Sequence, residues 1–333
     1  MLQRAKTILV PVAAILALLG ATVGQPGSAQ AKAVKIAFGD IASVESINFL
    51  IALERVKERG VDVDITFFKS EDIAAQAVVG GQADVGVGTP YALLQKVKAP
   101  IRMFFQLSAL RFYPVVNTDY YKDWKDLDGQ EYVVHSRGSG TEAIMNLMAK
   151  RKGIKYKSIS YIPGSEVRAG AMLKGTIRAT IVDAPNRNLL LEKGKGKFKV
   201  LPMEGVDASD EALYANTEFL ENNQETVDIL IEELLTVWRA INKDPNYVTT
   251  QRKKYGVLAD LPAELEGEII PYYTESAKSG AFPVNGGGVE AAKTDFEFYS
   301  IAGQLKGDPA DLKVEDFWYF GPLNKALDKL GRM

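Results

Sequence analysis

The chain has 333 residues, 25% of them charged, with 40 Lys and Arg against 42 Asp and Glu and a formal net charge of −2. That length exceeds the usual single hydrophobic core, so two lobes are expected, and the slightly acidic, well-mixed charge speaks against nucleic acid as a partner. Cysteine is absent, which excludes a disulfide framework and a lipid-modified N-terminal cysteine, and with His135 the single histidine a zinc site would lack both cysteine and a second histidine.

In chain order, residues 1–31 read as a cleaved signal peptide. Arg4 and Lys6 precede an apolar run, and Ala29-Gln30-Ala31 predicts cleavage before Lys32. Pro11, Gly20 and Gly24 interrupt that run, which argues against a membrane anchor. No later segment is apolar for long enough to span a bilayer. Losing Arg4 and Lys6 takes the charge from −2 to −4. The mature protein is expected in the periplasm, exported, not lipid-anchored and monomeric.

From Val34 the pattern alternates. Strands are predicted at 34–39, 61–68, 84–88 and 101–108, with helices at 43–60, 70–81 and 89–98 between them. Ser70 and Thr89 are the expected caps of the second and third helices, with Pro90 at the first helical position of the third. After a segment near 109–116 a second set begins. It has strands at 131–136, 158–164, 179–183 and 198–205, and helices from Ser139, from Ser165 and from Pro185. Single helices between strands imply parallel β-α-β units in each lobe. A second crossing is expected near 207–216, after which the chain is almost entirely helical, led by the amphipathic segment 225–245. The lobes are therefore expected as 32–112 with 211–333, and 113–210.

The stretch HSRGSGTEAIMNLMAKRKGI (135–154) carries Gly138, Gly140 and Ala143 in a G-x-G-x-x-A spacing. A dinucleotide site also needs an acid at the end of the following strand. That strand ends in Tyr161, Pro163 and Gly164, so no cofactor is expected. Any serine–histidine catalytic arrangement would have to use His135, which reads better as a partly buried strand-end residue. Ser139 followed by Glu142 fits a capping box, while Gly138 and Gly140 would also let a ligand approach the backbone. The residues alone allow either role.

In open α/β sheets, ligands sit beyond the carboxyl ends of the strands. Those positions hold Asp40 and Ser43, Ser70, Thr89, Ser136, Ser139, Gly140 and Thr141, Ser165, and Asp183. Helix N-termini there favour an anionic group. Arg111 at the first crossing is the candidate partner for a carboxylate or sulfonate, and Tyr91, Phe112 and Tyr113 are candidate walls for an organic ligand. No metal site and no catalytic residue are expected.

VGGQADVGVGTP (79–90), DLDGQEYVV (126–134) and ANTEFLENNQETVDILIEELLTVWRAINKDP (215–245), in that order and spacing, resemble the type II periplasmic solute-binding proteins of ABC importers. The resemblance is greatest to the nitrate, sulfonate and taurine group, which shares its fold with thiamine-precursor binders. It covers essentially the whole mature chain and implies a two-lobed α/β fold with a hinge. It also implies capture of a small, anionic organic solute in the interlobe cleft, and delivery to a permease and its ATPase at the inner membrane. Arg178 stands where that group more often carries an acid. GSGTEA also resembles a segment of TRAP-type receptors, the alternative partner. An exported enzyme using the same cleft is the weaker alternative, because the enzymes of this fold depend on cysteine and histidine residues that this chain lacks.

Overall fold

The protein is described by a computed structural model, which covers residues 33–98, 100–203 and 206–333. The leader expected at 1–31 and the last two residues of the strand expected at 198–205 lie outside the described residues. The first alternating set is β1 (Val34–Phe38), α1 (Ile47–Glu58), β2 (Val63–Phe67), α2 (Glu71–Val79), β3 (Val85–Gly88), α3 (Tyr91–Val97) and β4 (Ile101–Ala109). The apolar run of β1 is buried at all but Lys35, as a strand covered on both faces requires. It pairs in parallel with β2, from Val34↔Val63 to Phe38↔Phe67, and with β3.

The second set is β5 (Tyr113–Asn117), β6 (Glu131–Val134), α4 (Gly140–Lys152), β7 (Ser158–Tyr161), α5 (Ser165–Leu173), β8 (Ala179–Val182), α6 (Ala184–Lys193) and β9 (Phe198–Val200). The chain then returns through β10 (Ser209–Asn216) into α7 (Thr217–Asn222), α8 (Gln224–Lys243), α9 (Asn246–Tyr255), α10 (Ala263–Glu266), α11 (Ile269–Ser279), α12 (Val289–Ile301) and α13 (Gly321–Leu330).

Two five-stranded sheets result, in the orders β2-β1-β3-β10-β4 and β7-β6-β8-β5-β9. Each is mixed. β10 runs antiparallel to both β3 and β4, and β5 antiparallel to both β8 and β9. The two crossings read from the sequence as connections are therefore strands themselves, each wedged into the sheet it enters. Both escape periodicity because neither is flanked by a strand–helix–strand unit, and β10 opens on the polar Ser209-Asp210-Glu211.

Local capping differs from expectation at three helices. The segment expected to start a helix at Ser43 first makes a tight 3₁₀ turn, Val44–Ser46, in which the Ser43 hydroxyl accepts the Glu45 N–H at 3.2 Å. Ser70 does not cap α2, because its hydroxyl donates instead to the Asp72 carboxylate. Pro90 occupies the cap position of α3 and not its first helical position, while the Thr89 hydroxyl accepts from Tyr299 Oη at 3.2 Å.

The returning helices cover the first sheet. α8 buries Val227, Ile231, Leu234, Trp238 and Ile241 at helical spacing, and Trp238 Nε1 donates to Leu107 O at 2.6 Å. A second cluster joins the two sheets: Ala37 and Met103 from the first and Val134 and Ile181 from the second share it with Ile144 and Met148 of α4 and Phe296 and Tyr299 of α12. Among the described residues no helix is long and apolar enough to cross a membrane.

Candidate functional site

Strand ends of both sheets meet around two adjoining cavities. Beyond β1 come Gly39 and Asp40, followed by the 3₁₀ turn that presents Glu45. Glu71 opens α2 and reaches the same place, its Oε2 accepting the Thr89 N–H at 3.1 Å. Two glycines make room for it. A Cβ at Gly39 would lie 2.9 Å from Glu71 Cα, and one at Gly88 2.9 Å from Glu71 Oε2. Asp210 and Glu211 arrive on β10.

From the second sheet, His135 follows β6, Ser165 follows β7 and Asp183 follows β8. Ser139 caps α4: its hydroxyl accepts the Glu142 N–H at 3.3 Å and donates to Ser136 O at 2.8 Å. Thr141 Oγ1 accepts the His135 N–H at 3.1 Å and meets Ser139 Oγ at 2.9 Å. The Glu142 carboxylate folds back one residue further than a capping box requires, accepting the Gly138 N–H at 2.7 Å and the Tyr161 hydroxyl at 2.6 Å. The loop's own carboxylate thus sits where an anion cradled by the Gly138 N–H would have to be.

The larger cavity, about 390 Å³, is bounded by Glu45, Glu166, Asp183, Leu189, Leu265 and Tyr272. That is in the usual range for small-ligand pockets, roughly 300–1,000 Å³. The smaller, about 30 Å³, lies between Asp40, Phe112, Thr141 and Arg168, and Glu45 borders both. Among the described residues the only guanidinium in these walls, Arg168, is 1% exposed and spends its donors on Ile181 O, Ile162 O and Ser165 Oγ at 3.0, 2.8 and 3.1 Å. Burial pulls its pKa down against the carboxylates around it.

Carboxylates dominate the rest. Burial lifts Asp40 to about 6, Glu71 to about 8 and Asp210 to about 7. Glu45 is raised well above the ordinary carboxyl range by burial and by Asp183, and Glu211 by burial and by Asp210. His135 does not answer them. Buried and next to Arg168, it is lowered to about 3. Its Nδ1 accepts the Gly164 N–H at 3.4 Å, which only a neutral ring can do, and its Nε2 faces Gly39 O at 3.4 Å.

Of the expected site residues, Asp40, Ser139, Gly140, Thr141 and Ser165 border the small cavity with Phe112, and Ser43 and Asp183 border the large one. Arg111 does not reach either. Its Nε donates to Ser279 O at 2.9 Å and its Nη1 to Leu110 O and to Asp207 at 2.7 and 3.2 Å, a brace between chain segments. Tyr91 is fully buried, bonded to Asp295 at 2.6 Å and to Trp318 at 2.8 Å, and Thr89 is buried beside it. Ser70 stands off on Asp72, Ser136 lies under the loop with its hydroxyl unpaired, and Tyr113 is covered by the Arg187 guanidinium at 4.0 Å.

Sequence reasoning missed Glu45, Glu71, Arg168, Asp210, Glu211 and Tyr272. Glu71 follows Ser70 in a helix's first turn, where an acid is common without any ligand, and β10 was expected as a connection. The available signal for Arg168 was an arginine three residues after Ser165, on the face of α5 that turns inward.

A family model described as NMT1/THI5 like matches residues 46–247, most of the chain. No curated protein matches. A protein of Bordetella bronchiseptica RB50 has a similar structure, with a TM-score of 0.73 and 22% identity over 90% of this chain and 98% of that one. The periplasmic nitrate-binding protein NrtA from Synechocystis PCC 6803 gives 0.66 at 14% identity, over 90% and 89% of the two chains. The alkanesulfonate-binding protein SsuA from Xanthomonas axonopodis pv. citri, bound to MOPS, gives 0.61 at 14% identity, over 84% and 96%. Likeness at these identities establishes the two-lobed periplasmic-binding-protein fold.

Proposed function

We propose, from the premise that the chain belongs to the NMT1/THI5-like family, that it is the exported solute-binding component of an ABC importer. In this reading it captures a small organic solute between its lobes and hands it to an inner-membrane permease and its ATPase. The observation that carries the reading is that both sheets send polar strand ends into one pair of adjoining cavities: Asp40, Glu45, Glu71 and Asp210 from one side, Thr141, Ser165, Arg168 and Asp183 from the other. Sites shared between two lobes belong to proteins that close on what they bind. Binding without turnover fits the neutral His135, whose ring nitrogens face backbone groups and not a nucleophile. The anion expected from the helix N-termini is not favoured, because Glu142 already occupies the Gly138 N–H and carboxylates line both cavities.

We take the lobes as expected, residues 32–112 with 211–333, and 113–210, except that Ser209 and Asp210 go with the first, because β10 begins at Ser209 and pairs with β3 and β4. The passages from β4 to β5 and from β9 to β10 are then the hinge. Native mass spectrometry of the purified mature protein should find one small solute per chain and no product over time. Small-angle scattering should show a smaller radius of gyration with solute than after its removal. Turnover, or a scattering profile indifferent to a tightly bound solute, would count against the reading.

A further inference from the structure

Resting on that reading, we propose that the solute is an organic cation whose N–H-bearing head sits between Glu45 and Asp183 and whose apolar body lies against Tyr272, Leu189 and Leu265. Among the described residues Glu45, Glu166 and Asp183 have no Lys, Arg or His partner within ion-pair distance. The only such pair among the carboxylates beyond the strand ends joins Asp40 to His135 at 3.7 Å, and that ring is neutral. Arg168 lies close enough to be felt, but its hydrogen bonds go to two carbonyls and a hydroxyl. Lys193, at the rim of the large cavity, is exposed and makes no ion pair with these groups.

Asp183 is a second and independent pointer. It is 6% exposed and borders the cavity, yet both donors that reach its carboxylate, the Asn186 backbone N–H and Nδ2, land on Oδ1 at 2.9 Å. The Glu45 carboxyl borders the same cavity, near enough to be felt by Asp183. A carboxylate has about four acceptor sites, and a carboxyl group brings a single proton to them. A cationic N–H group entering the cavity supplies both the donors and the charge.

The occupant is organic and not a bare ion. A metal needs several ligands closing on one point, and among the described residues no group of three His, Asp or Glu does so. Beside the carboxyl pair the cavity offers instead the Tyr272 ring, held edge-on by Tyr273 with centroids 5.0 Å apart, and Leu189 and Leu265. An aromatic face next to a cation adds to its binding.

The test uses the mature protein and matched probes: benzamidinium, phenethylammonium and cyclohexylammonium, each beside a neutral and an anionic isostere such as benzamide and benzoate. Calorimetry should find at least one cation binding about tenfold or more tighter than its isosteres. Glu45→Gln and Asp183→Asn should each weaken that cation by about tenfold or more, the loss expected for a hydrogen bond to a charged group. Both variants should fold. Glutamine is isosteric with a glutamate whose carboxyl burial already pushes toward its neutral form, and asparagine is as good a helix cap as aspartate. Neutral or anionic isosteres binding as tightly, cation affinity unchanged in both variants, or no cation binding at all would each overturn the proposal. If a solute of another charge is then found in native mass spectrometry and closes the lobes, the importer reading survives without it. If no solute of any kind binds, the importer reading has failed as well.

Discussion

At the residue scale, Ser139 and Thr141 are not equivalent to ordinary loop hydroxyls. Ser139→Ala removes the α4 cap and should cost about 1 kcal/mol of stability. Thr141→Ala should cost at least as much, because it orphans the buried His135 N–H, and an unsatisfied buried donor costs about 1–3 kcal/mol. Urea denaturation of the unliganded protein measures both, and a Thr141 variant as stable as wild type would contradict the assigned hydrogen bond. Gly140 is required for a different reason. A Cβ there would lie 2.4 Å from Leu110 Cδ2 and 3.2 Å from Asp210 Oδ1, so the start of α4 could not approach β10 as it does. Gly140→Ala should destabilise by about 1–3 kcal/mol, as overpacking does. Leu110→Ala should cost less in that background than in wild type, a coupling that a double-mutant cycle detects.

At the element scale, one carboxylate ties three elements together. Asp295 of α12 is fully buried, accepting the Ser209 N–H at 2.6 Å, the Ser209 hydroxyl at 2.8 Å and the Tyr91 hydroxyl at 2.6 Å. It therefore fixes the first residue of β10, the strand through which the chain re-enters its first sheet, against α3. Asp295→Ala should lose about 3–5 kcal/mol, since three buried donors lose their acceptor together. Asp295→Asn keeps one acceptor oxygen and should lose less. Equal losses in chemical denaturation would mean that packing, and not the hydrogen bonds, is what Asp295 supplies.

For the whole molecule, the crowded carboxylates set the pH response of the empty protein. Asp40, Glu71 and Asp210 titrate near 6, 8 and 7 when folded, against ordinary values of 3.8, 4.5 and 3.8. Groups raised in this way give stability that is fully present below the ordinary value and is lost as pH rises through the folded one. His135 works the other way. Its folded value near 3, against 6.5, means that acid favours the unfolded chain at this one group. Several carboxylates outweigh one histidine, so the melting temperature without solute should rise from pH 8.5 to pH 5.5. A carboxyl whose pKa differs by one between the folded and unfolded chain contributes about 1.4 kcal/mol to that balance. Calorimetry across that range checks it, and a melting temperature that falls over it would show that the carboxylates are paired or solvated in the empty protein.

What the sequence determined on its own was the local and periodic part. Alternating apolar strands and capped helices announced two α/β sets from Val34 to Val200, and the 3.6-residue spacing of Val227, Ile231, Leu234, Trp238 and Ile241 announced the covering helix α8. Strand-end positions also pointed to Asp40, Ser165 and Asp183, which border the two cavities, because side chains beyond a parallel strand have one place to go. Tertiary structure alone decided the rest. That β5 and β10 enter each sheet antiparallel depends on where the chain crosses, which no local pattern encodes. The charge of the site was equally illegible: Glu45 and Glu211 are ordinary surface letters in sequence, and only when distant segments enclose them do burial and the neighbouring Asp183 and Asp210 raise their carboxyl pKa values. Helix N-termini are a local feature and suggested an anion. The carboxylates that oppose it meet only in three dimensions, where burial multiplies the strength of every unpaired charge.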